Sequence, residues 1–287
     1  MLWRPSPEGV ERAAITAYTR WLEETRGLTL PDYPSLWAWS TREPEAFWGS
    51  IWERFAVEAS TPYERVLGSG AMPGAEWFPG ARLNWAEHVL RSGPDDAVAI
   101  AHASELRPLT ETTRGELRSA VADVVAGLRA LGVGPGDRVV AYLPNTVEAV
   151  VAVLACASVG AIWSSCSPDF GPSSVIDRFA QIEPRMLLTV DGYRYGGKDF
   201  DRLAAVRQIR AALPTVERTV VVGYLTTEPS LDGLGDALRW DELRDLGAGA
   251  SAAFEQVPFD HPLWVLYSSG TTGLPKAIVQ SQGGILL

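Results

Sequence analysis

Cysteine is scarce in this chain: two among 287 residues, Cys156 and Cys166. Two thiols ten positions apart make no disulfide framework and fit no common zinc spacing. Both stand among small or apolar neighbours, so they read as reduced packing residues. That implies a reducing compartment, and cytoplasmic localisation is the expectation. Long apolar runs are also missing. The most hydrophobic stretch, "AVVAVLACASVGAIW", runs from Ala149 to Trp163 with Ser158 and Gly160 inside it. A membrane span needs roughly 20 residues, so this reads as a buried helix feeding a strand, and no membrane span is expected. The opening "MLWRPSPEGVERAA" lacks the apolar core of a secretory signal. Clustered basic residues are absent and the net charge is -10, which argues against a nucleic-acid partner. The three histidines, His88, His102 and His261, form no Ser-His-Asp pattern and read as structural.

What is abundant divides the chain in two. Eight of the eleven tryptophans fall in the first third. Apolar residues recur at helical spacing from Glu8 to Arg26, with no proline between, and again from Glu45 to Phe55. The intervening "LPDYPSLWAWS" is broken by proline and reads as a loop with a short turn. "GSGAMPGAEWFPGARLN" reads as extended and irregular. The aromatic stripes are read as packing. Residues 1–94 are thus expected to form a helical, Trp-rich region.

From Asp95 the pattern alternates. "AVAIAHA", "RVVAYLP", "AIWSSCS", "RMLLTV" and "RTVVVG" read as strands. Helices are expected over Thr112–Leu131, from a cap at Asn145 or Thr146 to about Val159, over "GPSSVIDRFAQIEP" up to Pro184, and over Asp199–Leu213. "LTTEPSLDGLGDALRW" reads as a surface excursion. Strand-helix alternation of this kind predicts a doubly wound parallel α/β sheet over 95–287, with phosphate ligands at the carboxyl ends of its strands.

One loop stands out in that frame. "YSSGTTGLPK", residues 267–276, follows the apolar strand "PLWVLY" and precedes a second apolar stretch, Ala277 to Val279, that also looks like a buried strand. Gly270 and Gly273 allow positive φ and close backbone approach to a ligand. Successive amides in such a turn can form an anion-binding nest. Ser268, Ser269, Thr271 and Thr272 add hydroxyl donors, and Lys276 adds charge. Together these suit a polyphosphate. The Walker pattern fails, since Gly273 is followed by Leu274 and Pro275 before the lysine, and neither Ser nor Thr follows Lys276. A flexible Ser/Gly linker is the plain alternative.

The decapeptide resembles the phosphate-binding loop of the adenylate-forming enzymes: acyl- and aryl-CoA synthetases, luciferases and peptide-synthetase adenylation domains. "YPSLWAWSTREPEAFWGSIWERF" and "WFPGARLNWAEHVL" are similar to the front of its acetyl-CoA synthetase branch. "GAIWSSCSPDFGPSSVIDRFAQIEP" with "VDGYRYGGKDFDR" is similar to the acetoacetate-activating members. The resemblance covers nearly the whole chain and implies an ATP-dependent acid–CoA ligase. In such a ligase acetoacetate, or another short-chain carboxylate, attacks the α-phosphate of ATP. The thiol of coenzyme A then displaces AMP from the acyl-adenylate. ATP, Mg²⁺ and coenzyme A are the implied cofactors. By residue match, Ser268 through Gly273 and Lys276 would hold the β and γ phosphates. Lys198, and less directly Arg194, stand where family members approach the nucleotide phosphates of coenzyme A, with Tyr195 where an arginine is often found; solvated surface charge is the alternative reading.

This sequence departs from the family at Ala277, commonly Gly, and at Gln280, commonly His; glutamine cannot titrate, so no titrating role is assigned there. Family chains are longer. The acyl pocket wall, the adenine segment, the Mg²⁺-binding glutamate, the ribose-binding aspartate and the adenylation lysine are expected downstream of Leu287. No metal ligand and no catalytic residue is therefore assigned within this chain, and residues 1–287 alone are expected to be inactive. Another short-chain acyl-CoA synthetase, or a non-catalytic phosphate-binding remnant, are the alternatives.

Overall fold

The structure, a computed structural model, describes residues 4–251, 253–268 and 273–287. These fall into two compact units, one holding residues up to Glu58 and Tyr63–Pro79, the other Ala59–Pro62 and Gly80–Leu286.

The first unit is built from α1 (Pro7–Glu11), α2 (Ala14–Arg26), α3 (Tyr33–Arg42) and α4 (Pro44–Arg54). The helix expected over Glu8–Arg26 is two helices. Ala13 is extended, and the Thr16 hydroxyl takes the Val10 carbonyl at 2.6 Å in place of a continuing helical turn. The expected loop at 30–40 is helix α3. Asp32 caps it by accepting from the Ser35 amide at 2.9 Å, and Pro34 sits in the first turn, where a missing N–H costs nothing. Its proline is therefore a start signal and not a breaker. Tyr18, Leu22, Leu36 and Trp39 are buried together with Phe47 and Ile51 against them. Tyr18 and Ser50 share a buried hydroxyl hydrogen bond of 2.6 Å. Trp52, Tyr63 and Phe78 form a second aromatic group with centroids 4.8–5.1 Å apart.

The second unit runs β1 (Arg82–Leu83), α5 (Trp85–Leu90), β2 (Val98–His102), β3 (Thr110–Thr113), α6 (Arg114–Ala130), β4 (Arg138–Tyr142), α7 (Val147–Ser158), β5 (Ile162–Cys166), α8 (Pro172–Phe179) and β6 (Met186–Val190). It continues through β7 (Gly192–Tyr195), β8 (Lys198–Asp201), α9 (Leu203–Ala212), β9 (Arg218–Val222), β10 (Ala237–Arg239), α10 (Trp240–Asp245), β11 (Val257–Pro258), β12 (Pro262–Ser268), β13 (Lys276–Ser281) and α11 (Gln282–Leu286). Seven strands form the main sheet in the order β10-β9-β6-β4-β5-β12-β13. All neighbours are parallel except the last pair, β12 with β13.

Side-chain alternation sorts the two faces. Val139, Ala141 and Leu188 pack with α6 and α7, while Val140, Tyr142 and Leu187 pack with α8 and α9. Each fully buried aliphatic side chain there contributes about 1.5–3 kcal/mol. The sheet is thus covered on both sides, the doubly wound arrangement the alternation predicts. The apolar run from Ala149 splits, as expected, between buried α7 and β5. No helix among the described residues is long and apolar enough to cross a membrane.

Local signals account for several boundaries. Thr113 caps α6 in a reciprocal capping box with Glu116, so the helix begins at Arg114, and Thr110–Thr113 pairs instead with β2 in a separate two-stranded sheet. Thr146, not Asn145, caps α7. The helix expected from Asp199 begins at Leu203, because Lys198–Asp201 folds back on β7 across the Gly196-Gly197 turn. The expected surface excursion includes β10, which joins the sheet edge parallel to β9, and Trp240, the first residue of α10.

Helix α6 meets α10 closely. A Cβ on Gly127 would lie 2.2 Å from the Leu243 carbonyl oxygen, a backbone atom that cannot step aside. Replacing a helical glycine by alanine ordinarily gains about 1 kcal/mol. At Gly127 overpacking wins, and Gly127→Ala is expected to destabilise the unit by about 1–3 kcal/mol, read as a lower midpoint in urea unfolding. An unchanged or higher midpoint would contradict this packing.

Candidate functional site

Strand β4 sends its chain to α7 on one face of the sheet, and β5 sends its chain to α8 on the other. At the carboxyl ends of neighbouring strands whose connections part this way, a crevice opens. Here it holds two cavities. One of about 310 Å³ is lined by Asn145, Ser167, Asp169, Tyr193 and Tyr195 among others. One of about 520 Å³ lies towards α7, with His102, Thr146 and Trp163 in its wall. Tyr142, at the end of β4, fixes the turn after β5: its hydroxyl lies 2.7 Å from the carbonyl oxygens of both Pro168 and Phe170. Burial raises the pKa of that phenol, so it stays a neutral donor.

The strand β12 runs parallel to β5, so its following loop leaves the same edge of the sheet. The chain returns antiparallel through β13, whose register sets Ser268 directly opposite Lys276. Two of the proposed phosphate ligands thus come from the two stems of one hairpin. Gly273 has φ +115, the positive value expected of it. Ser269, Gly270, Thr271 and Thr272 lie outside the described residues. The stems are tied to the end of α8. The Tyr267 hydroxyl donates to the Arg178 carbonyl at 2.7 Å, and Gln181 Nε2 donates to the Pro275 carbonyl at 3.0 Å. Burial raises the Tyr267 pKa. Ala277 to Val279, expected to be buried, are exposed in β13, which is the last strand of the sheet. Gln280 accepts from Trp264 Nε1 at 2.6 Å, a cross-strand bond that holds β13 in register.

Arg194 and Lys198 are on a different hairpin, β7–β8, whose Tyr193 and Tyr195 line the smaller cavity. Arg194 is engaged by Asp199 through two bonds of 2.6 and 3.0 Å, and the Asp199 side-chain hydrogen bond raises its pKa. Lys198 is exposed. A signal for both positions was present in the composition: Lys198 and Lys276 are the only lysines among the 25 basic residues of the sequence. Compact ammonium groups occur only at the two places proposed to meet phosphate.

Other site-supporting residues carry no motif. Asp191, 3% exposed, closes β6 onto the segment after β9: its carboxylate accepts from the amides of Tyr224, Leu225 and Thr226 at 2.8–3.0 Å and from the Thr226 hydroxyl at 3.1 Å. No spacing in the sequence links residues 33–35 apart in this way. His261 contacts the Gly160 carbonyl at 2.8 Å and His88 contacts Arg91 at 2.7 Å, both within the packed scaffold. Among the described residues no cluster of His, Cys, Asp or Glu could hold a metal ion. Cys156 is buried with its thiol pKa raised by desolvation, and desolvation pushes Cys166 up to about 11 against a weaker opposing effect of Arg178.

Two measurements test this scaffold. Asp191→Ala strands three backbone donors, and hydrogen bonds to a charged group are worth about 1.5–3 kcal/mol each. A loss of about 3 kcal/mol or more is expected in chemical unfolding, with a smaller loss for Asp191→Asn. For Cys166, a raised pKa leaves about one thiol in a thousand ionised at pH 8. Alkylation of the native chain at pH 8 should be slow at Cys166 and Cys156 and become fast on unfolding; rapid native modification would contradict their burial.

The description "AMP-binding enzyme" matches residues 86–287, and "Acetyl-coenzyme A synthetase N-terminus" matches residues 33–89. The chain is 42% identical over 269 residues to an acetoacetyl-CoA synthetase of Rattus norvegicus, covering 91% of this chain and 40% of that protein. It is 42% identical over 294 residues to one of Rhizobium meliloti, covering 100% of this chain and 44% of that protein. A malonamoyl-CoA synthetase of Penicillium aethiopicum is 36% identical over 302 residues, covering 100% and 41%. Among solved structures, acetoacetyl-CoA synthetase from Streptomyces lividans superposes with a TM-score of 0.92 at 52% identity, covering 99% of this chain and 44% of that one. The chain therefore spans about 40% of the length of the curated relatives it matches.

Proposed function

The chain belongs to the AMP-binding enzyme family, and from that premise we propose that it supplies the phosphate-gripping part of an ATP-dependent acid–CoA ligase acting on acetoacetate. The observation that carries this reading is the β12–β13 hairpin: Ser268 and Lys276 stand opposite each other at the carboxyl edge of a parallel sheet, with Gly273 at positive φ between them. Ser268, Ser269, Gly270, Thr271, Thr272, Gly273 and Lys276 hold the β and γ phosphates of ATP. Hydroxyl and amide donors of that loop would stabilise the pyrophosphate on which charge grows as the acid's carboxylate oxygen bonds to the α-phosphorus and the pyrophosphate leaves. Coenzyme A thiol then attacks the acyl carbon and AMP leaves. Lys198 and Arg194 meet the nucleotide phosphates of coenzyme A, on the hairpin whose Tyr193 and Tyr195 line the smaller cavity. Mg²⁺, the metal implied together with ATP, would screen the triphosphate charge when bound. The reduced, buried thiols suit a cytoplasmic setting. The second unit, which holds Gly80–Leu286, carries the phosphate-binding role, and the activity belongs to a polypeptide of the relatives' length.

Two lysines make the test direct. With a small amine-acylating reagent and peptide mass spectrometry, ATP should protect Lys276 and coenzyme A should protect Lys198. Thr271→Ala should raise the half-protecting ATP concentration by about tenfold or more, as a lost hydrogen bond to a charged oxygen costs about 1.5–3 kcal/mol. No protection of Lys276 at any ATP concentration would sink the phosphate reading. Acyl selectivity is checked by ATP–pyrophosphate exchange in the full-length protein: acetoacetate should support it better than acetate or malonamate, and a reversed order would reassign the substrate.

A further inference from the structure

The β7–β8 hairpin carries Arg194 and Lys198 on two four-residue strands that pair only with each other among the described residues. Such an isolated hairpin is marginal in water, and β8 is exposed along its length. Its base is held. Arg202 donates to the Tyr193 hydroxyl at 2.7 Å and lies over the Tyr193 ring, which stacks on Phe200. Its tip is a two-glycine turn, Gly196 at φ +60 and Gly197 at φ +74. Both tip amides donate to one carboxylate, Glu105, at 2.7 Å each, one to each oxygen. Glu105 comes from the loop between β2 and β3, 91 residues earlier. That loop is stiff. The Ser104 amide donates to the Arg107 carbonyl at 2.9 Å, and the Ser104 hydroxyl accepts from the Leu106 and Arg107 amides at 3.1 Å. Arg107 in turn bonds both oxygens of Glu148 on α7, at 2.8 and 3.0 Å, and lies 4.5 Å over the Tyr224 ring. A continuous strut therefore runs from α7 through Arg107 and Glu105 to the hairpin tip.

We infer that Glu105 is a positioning residue for coenzyme A: it fixes the tip of the hairpin and so places Lys198 for the ligand's phosphates. The inference rests on the proposed role of Lys198. A carboxylate near this hairpin could instead repel an incoming phosphate, in which case its removal would tighten binding. The geometry argues for the strut. Both Glu105 oxygens are spent on backbone amides, and Arg194 is paired with Asp199, so removing Glu105 releases the hairpin without freeing a cation.

Glu105→Ala and Glu105→Gln separate these cases in the intact chain. Amide hydrogen exchange at Gly196 and Gly197 should be tenfold or more faster in the alanine variant and intermediate in the glutamine variant, which keeps one acceptor. The coenzyme A concentration that half-protects Lys198 from acylation should rise five- to tenfold in Glu105→Ala, while the ATP concentration that half-protects Lys276 stays unchanged. Unchanged exchange, or a lower half-protecting coenzyme A concentration, overturns the inference. If coenzyme A never protects Lys198 in the parent chain, the assignment of Lys198 fails instead, and the exchange measurement alone decides whether Glu105 fixes the tip.

Discussion

Strand β4 is buried on both faces, and the rest of the second unit is arranged around that fact. Val139 and Ala141 face one layer of helices, Val140 and Tyr142 the other. A parallel strand so enclosed has to hand its chain to a helix on one side. Its neighbour β5 hands its own to the opposite side, and the two departing loops leave a gap between them. Every residue proposed to meet ligand in this unit is reached from that edge of the sheet or from a hairpin that rises near it. The hydrophobic layering and the position of the chemistry are therefore one constraint seen from two sides: the burial of β4 determines where polar loops can gather.

The site proposed on that edge is economical in charge. Most of the basic residues are arginines committed to carboxylates or carbonyls of the scaffold, such as Arg107 with Glu148 and Arg185 with Asp137 and Glu217. A guanidinium is suited to that fixed, forked pairing. The two lysines stay outside these networks. In the proposed site, hydroxyls and amides would supply the remaining polarity without a desolvated charge.

The parallel strands β4, β5, β6, β9 and β12 were legible in the sequence because each is a short, mostly apolar run bounded by turn residues, and "RVVAY" or "RTVVV" can be little else; β10, three residues inside an apparent surface excursion, was not. The helices α6 and α7 were legible for the same kind of local reason, a cap followed by helical spacing. What misled was also local. Pro34 looks like a breaker, yet behind Asp32 it opens a helix. Lys198 to Asp201 carries nothing that tells a strand from a first helical turn; only the turn at Gly196 and Gly197, read as a fold-back, would have done so. For the proposed site, the loop offered for phosphate and its lysine were visible as a motif. Its supports were not, because Gln181, Tyr267 and Asp191 work through backbone groups of distant segments, and a hydrogen bond to a carbonyl leaves no mark on the residue that owns it.

Strand β13 ends the sheet with Ile278 and Val279 exposed, and among the described residues no strand pairs with its outer side. An edge of this kind displays a row of free carbonyls and amides. Its own residues include no proline and no carboxylate to blunt it; its one cation, Lys276, is at the hairpin end and is proposed to be needed elsewhere. Any extended segment of suitable pattern can add to it as a further strand. In a concentrated solution of these residues alone, the first such segment to arrive would be the same edge of a neighbouring molecule, so the chain carries a built-in route to self-association that a covering strand would close.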